Sequence, residues 1–187
     1  AIVALMAKVG LRTRGVYQVD AGKRSRHTNA YFTGIGRTKR IVLFDTLLAS
    51  HSAEEILAVL AHEVGHWKRR HILKQLLFVK AISLTALWLA SRLIAWPVLY
   101  EAFGFARPVP FAGLLLTAVL LGPLTLLVTP ALSAIQRRFE READAFVPGL
   151  TGSAAALAGA LRRIARDNLA NLHPHPLYAR FHYSHPP

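Results

Sequence analysis

The sequence predicts a mainly α-helical membrane protein with a small β-hairpin. Three observations carry that prediction. The chain is 53% hydrophobic. It contains long apolar tracts, one of them free of charge from Pro108 to Gln136. A short run of β-favouring residues is split by Gly34-Ile35-Gly36. With 187 residues, the chain can bury a core of its own. It begins on Ala1 and stops at Pro186-Pro187 with no closing element, which reads as an internal piece of a longer protein.

Three parts follow from the patterning. Residues 1–71 hold a small α+β region, the hairpin and a polar-faced helix; 72–136 hold two apolar spans; 137–187 hold a charged helix and a His- and Pro-rich tail. In the first part, Tyr31-Phe32 and Ile41 to Phe44 are the hairpin strands. The next helix starts at Ser52, an N-cap whose partner Glu55, three residues on, completes a capping box. Ile56, Leu60, Val64 and Trp67 then recur at spacings of three and four, which gives one buried stripe.

The first predicted span, Ala81 to Tyr100, is interrupted by Arg92 but carries Trp88, Trp96 and Tyr100, which suit a membrane interface. The second, Phe111 to Ile135, exceeds the roughly 20 apolar residues that a spanning helix needs. Pro123 and Pro130 are expected to bend it. Lys68, Arg69, Arg70 and Lys74 lie before the first span and Arg137-Arg138 after the second, whereas Arg107 alone is basic in the connecting loop. Cationic flanks favour the cytoplasm, so both ends are expected on that side of a multi-pass protein. Beyond the spans, "GSAAALAGALRRIA" reads as an ordinary helix, and the tail, with His173 and His175, as irregular surface.

Composition also excludes. The formal charge of +13 sits in clusters between apolar tracts and forms no nucleic-acid-binding module. Without a cysteine, the chain has no disulfide framework and no thiolate, so a transition metal must be held by His, Asp and Glu.

Such residues stand in "VLAHEVGHWKRRH". Positions four apart on a helix lie one above the other, so His62 and His66 share a face and can share one ion. The pattern H-E-x-x-H places Glu63 beside the first histidine, where it can take a proton from water and return it to a leaving amine. The core is therefore expected to be zincin-like, with one Zn2+ per chain. A third donor is needed, and no H-E-x-x-H-x-x-G-x-x-H extension follows. His71, five residues after His66, is expected to point away as a surface or interface histidine. In "RRFEREADAF", Glu140 and Asp144 share a face, so either could be the third donor while the other orients a ligand. Glu142 projects from nearly the opposite side. Spacing leaves the choice between Glu140 and Asp144 open.

"TNAYFTG", "KRIVLFDTLL", "LAHEVGHWK", "RRFEREADAF" and "FHYSHPP" follow one another as in the type I CAAX prenyl proteases, integral-membrane zinc endopeptidases related to the bacterial HtpX heat-shock proteases, and the chain resembles that family over nearly its whole length. The resemblance implies that His62, His66 and Glu140 hold zinc, that Glu63 is the base, and that Asp144 stands behind a ligand. It further implies that Asn29, Ala30 and Tyr31 offer main-chain hydrogen bonds to an extended substrate. His185, with His182 as the alternative, would face the oxyanion. The implied substrate is a peptide or protein, prenylated or not, cut near its C-terminus. The implied setting is a lipid bilayer, either a bacterial inner membrane or the endoplasmic reticulum. The family carries further membrane helices before this region and an arginine-bearing helix after it. A quality-control protease of the HtpX kind and a membrane scaffold with an idle metal site are the rival readings.

Overall fold

The computed structural model describes residues 1–23, 28–34 and 38–185. Helix α1 (Ile2–Lys8) leads into strand β1 (Arg12–Val19); β2 (Ala30–Thr33) and β3 (Thr38–Phe44) follow. β2 and β3 pair antiparallel with Ala30 opposite Leu43 and Thr33 opposite Arg40, the expected hairpin. Of its Gly34-Ile35-Gly36 turn, Ile35 and Gly36 lie outside the described residues. The hairpin is only part of the sheet, because β1 joins the other side of β3 in parallel, giving the order β1-β3-β2. The sequence concealed β1 because Arg12 to Val19 does not alternate apolar with polar residues. As an edge strand exposed along much of its length, it is held through its backbone rather than by a buried face.

Helix α2 (Asp45–Ser50) turns the chain toward α3 (Ala53–Lys68). The Asp45 carboxylate accepts from the Ala21 and Gly22 amides and so ties the end of β1 to the start of α2. The Ser52 capping box forms as expected: Ser52 Oγ accepts from the Glu55 amide at 3.2 Å, and the Glu55 carboxylate accepts from the Ser52 amide at 2.8 Å. Arg163 then donates to Glu55 at 3.1 Å, joining this capped end to a helix 108 residues later.

α3 is the central helix. Its stripe of Ile56, Leu60 and Val64 is buried with Ile41, Leu43, Leu47, Val147 and Leu157, and Trp67 packs at the margin. Leu60 has no exposed surface. Leu60→Ala is expected to destabilise the protein by about 2–5 kcal/mol through lost burial and the cavity left behind, read as a lower thermal unfolding midpoint in detergent.

The apolar part is arranged differently from the sequence reading. α4 (His71–Ile94) begins ten residues earlier than the predicted span and ends before Trp96-Pro97, where proline forbids continuation. At 24 residues it is about 36 Å long, and none of its most apolar window is buried within the protein. α5 (Pro97–Ala102) closes the turn, and Tyr100 donates its hydroxyl to the Ile94 carbonyl at 2.8 Å. That satisfies an acceptor freed at the end of α4. Gly113 of α6 (Pro110–Leu121) has no Cβ to block this hydroxyl.

The second predicted span is not one continuous helix. α6 stops before Gly122-Pro123, and α7 (Leu124–Asp144) departs at 52°. Pro123 lacks the amide that would continue the ladder; Pro130 lies inside α7. Among the described residues, one helix is thus long and apolar enough to cross a membrane, and the bent α6–α7 pair passes the same test together, as a broken span or a re-entrant loop. α8 (Val147–Thr151) and the expected α9 (Ala155–Asp167) return to the core. The tail is not wholly irregular. Pro176 starts α10 (Pro176–His182) at a position where a missing amide is harmless, and His175 Nδ1 accepts from Leu177.

Candidate metal centre

The face of α3 opposite its core stripe carries His62 and His66, whose rings stand 4.8 Å apart. α7 crosses this helix at Gly65, where a Cβ would lie 2.9 Å from Ala143 Cα and 3.1 Å from the Ala143 carbonyl oxygen. Glycine therefore sets how closely the two backbones approach. Glu140, one turn before Ala143 on α7, reaches both histidines as a result. Its carboxylate lies 3.4 Å from His62 Nε2 and 3.5 Å from His66 Nε2, and the two Nε2 atoms are 3.0 Å apart.

This donor set can be tested against zinc. Four ligands at about 2.0–2.1 Å in a tetrahedron are about 3.3 Å from one another, and the three measured separations straddle that length. Two imidazoles and a carboxylate also form a donor set typical of catalytic zinc. The residues fit the ion. Among the described residues, these three are the one group of His, Asp and Glu side chains gathered closely enough to hold a metal.

Each donor has a partner behind it. Asp144 Oδ1 lies 2.8 Å from His62 Nδ1. Burial alone would disfavour charge on His62, but hydrogen bonds with Asp144 and Glu140 overcome it and push its pKa up to about 9. Glu63 is shifted upward chiefly by burial, against the pull of His62 and His66. His185 Nδ1 lies 2.9 Å from Glu140 Oε2, and this hydrogen bond raises the histidine's pKa.

His71 contradicts the sequence expectation. It is 2% exposed, stacks on Phe139 and places Nδ1 3.0 Å from His66 Nδ1. The expectation assumed that one helix continues through His71. Instead α3 ends at Lys68, and Arg70 adopts a left-handed conformation (φ 55°) that starts α4 in a new direction and folds His71 back beneath His66. Glu142, expected on the far side, reaches His71 Nε2 at 3.2 Å and also accepts from Arg138.

The centre opens into a cleft of about 770 Å³, walled by Asn29 and the first β2 residue Ala30, Leu157 and Leu161 of α9, and both His182 and His185. Tyr31 does not line it and instead packs edge-on against Phe44. The Asn29 carbonyl accepts from Phe44 within the sheet, and the Asn29 side chain accepts from the Ala30 amide at 2.8 Å. Arg137, expected only as a charged flank, donates to the Tyr183 carbonyl at 2.6 Å and the Ala179 carbonyl at 3.3 Å. Ser133 donates to Phe181. α7 thereby holds the C-terminal segment over the cleft. No sequence signal marks these contacts, because the acceptors are backbone carbonyls more than 40 residues away.

A cleft beside two histidines and a glutamate, contributed by crossed helices next to a sheet edge, is the scaffold of a metallopeptidase. The profile of peptidase family M48 matches residues 1–187, and the chain belongs to that family. Family M48 implies a bound metal, usually zinc. The probable CAAX prenyl protease 1 of Schizosaccharomyces pombe is 40% identical over 186 residues, covering 99% of this chain and 39% of that protein. The CAAX prenyl protease 1 of Saccharomyces cerevisiae is 37% identical, over 99% of this chain and 44% of its own length. The crystal structure of S. mikatae Ste24p superposes with a TM-score of 0.86 at 38% identity, over 99% of this chain and 46% of that one. The chain spans less than half the length of these relatives.

Proposed function

We propose that the protein is a membrane-embedded zinc metalloendopeptidase that cuts peptide bonds near the C-terminus of prenylated proteins. The observation that carries this reading is the convergence of His62, His66 and Glu140 beside a cleft lined by His62, Glu63, Glu140 and the β2 edge. The M48 membership and the names of the relatives support it.

In this reading His62, His66 and Glu140 hold the ion. Zinc bound there would supply Lewis acidity toward a carbonyl and make water acidic enough to lose a proton near neutral pH. Glu63 would take a proton from water and deliver it to the leaving amine; its burial, which raises its proton affinity, suits a group that must both accept and donate. A substrate strand lies along β2, where it would displace the Asn29 side chain to reach the Ala30 amide. Because the Asn29 carbonyl is used inside the sheet, it contributes no bond to that strand. His185, already held beside the centre by Glu140, faces the oxyanion, with His182 as the alternative. Such a donor contributes about 3 kcal/mol of transition-state stabilisation. Leu157 and Leu161 give the cleft an apolar wall suited to aliphatic side chains.

Asp144 fixes the tautomer and orientation of His62. Asp144→Ala is expected to weaken zinc binding about 10–100-fold, measured by competition with a chromophoric chelator. The membrane placement is supported by α4 and the bent α6–α7 pair, and their lysine and arginine flanks favour the cytoplasmic side for the centre. The membrane itself, a bacterial inner membrane or the endoplasmic reticulum, follows the organism.

The deciding experiment offers the full-length protein in detergent a CAAX peptide with and without a farnesyl group, and reads the cut sites by mass spectrometry. Cutting that requires farnesyl and stops on chelation supports a prenyl-protein protease. Chelator-sensitive cutting of both peptides would mark a general membrane protease instead.

A further inference from the structure

We infer that His71 and Glu142 form a relay that positions His66 as a metal ligand, so that the second histidine of the centre is braced through an intervening imidazole as the first is braced directly by Asp144. The inference rests on the reading of His62, His66 and Glu140 as the metal site. His66 turns Nε2 toward His62 and Glu140, so Nε2 must be the unprotonated atom when it binds an ion and the ring proton sits on Nδ1. That Nδ1–H points at His71 Nδ1, 3.0 Å away, which must then accept. His71 therefore carries its own proton on Nε2, and this atom faces the Glu142 carboxylate at 3.2 Å. With an ion on His66 Nε2, this assignment of protons satisfies the contacts among His66, His71 and Glu142 and gives the His66 ring proton a fixed acceptor.

The surroundings hold His71 in this role. It is 2% exposed, its ring is stacked on Phe139 at 4.4 Å between centroids and 10° between planes, and Phe139 is in turn covered by Lys74 at 5.7 Å. Arg138 donates to the other Glu142 oxygen at 2.9 Å, which fixes the carboxylate at the end of the relay. The left-handed Arg70 is the backbone device that delivers His71 to this place. A non-glycine residue held there is strained, and such strain persists where surrounding structure requires it.

The test compares His71→Leu, which fills the space but accepts nothing, with His71→Asn, whose side-chain oxygen stands near the lost Nδ1. Both are made in the full-length protein in detergent, alongside His66→Ala. Zinc dissociation constants are measured by chelator competition, and the visible spectrum of the cobalt-loaded protein reports on ligand geometry. Outer-sphere partners of ligating histidines are worth about 10–100-fold in metal affinity. H71L is expected to lose that much and to shift the cobalt bands, while H71N stays within about threefold of the wild type and the apo proteins unfold at similar temperatures. Wild-type zinc affinity in H71L would overturn the inference. So would equal losses in H71L and H71N that track a fall in apo-protein stability, since that is the pattern of mere packing. Undiminished zinc binding in H66A would instead remove the metal site itself, and the relay with it.

Discussion

Glu63→Gln is expected to reduce peptide hydrolysis by about 10²–10⁴-fold, the range that a positioned general base contributes, while zinc content remains that of the wild type. Gln keeps the size and hydrogen-bonding reach of Glu but cannot take a proton. Glu63 lies between His62 and Val64 on α3, lines the cleft, and is not among the three side chains gathered around the metal position. Its loss should therefore leave binding of the ion and of the peptide intact and act on turnover. The measurement is kcat with a peptide substrate together with zinc content by atomic absorption. Turnover equal to the wild type would remove Glu63 as the base, and a scaffold whose metal is idle would show no hydrolysis in either protein.

Gly65→Val is expected to dismantle the centre without touching a ligand. Even the first added carbon would fall 2.9 Å from Ala143 Cα and 3.2 Å from Phe146 Cβ. The nearest obstacle is backbone, which cannot swing aside as a long side chain can. Overpacking of this kind destabilises by about 1–3 kcal/mol, and any relief by separating α3 from α7 draws Glu140 away from both histidines. Zinc affinity and activity should fall together with the unfolding temperature. Gly149→Ala is the control, because nothing lies within 4 Å of the added carbon there. Ala143→Gly is expected not to rescue Gly65→Val, since the clash is with main-chain atoms.

The centre was legible in the sequence to an unusual degree because much of it is helical periodicity. His62 and His66 four apart, and Glu140 and Asp144 four apart, report their faces directly. Whether Glu140 or Asp144 comes nearer to the ion was not legible from spacing, because that depends on the crossing of α3 and α7 at Gly65 and Ala143. Structure gave Glu140 the approach to both Nε2 atoms and Asp144 the approach to His62 Nδ1. His71 was misread for a related reason. Helical spacing holds only while the helix lasts, and an arginine in a left-handed conformation is not a pattern that residue preferences announce. β1 was missed because an exposed edge strand has no buried alternation to display, and α10 because proline and histidine obscured a short helix.

The hydrogen bond from His62 to Asp144 joins residues 82 positions apart, and α4, α5 and α6 all lie between them. During synthesis α3 is complete long before α7 exists. Until then the chain offers an ion only two imidazoles on one helix, with no carboxylate to close the set and no C-terminal segment over the cleft. The three side chains can therefore gather only after α4, α5 and α6 have been made and α7 has been brought back against α3. On the proposed function, peptidase competence would thus report correct insertion: a chain threaded with α7 on the wrong side would keep His62, Glu63 and His66 but have no Glu140 beside them.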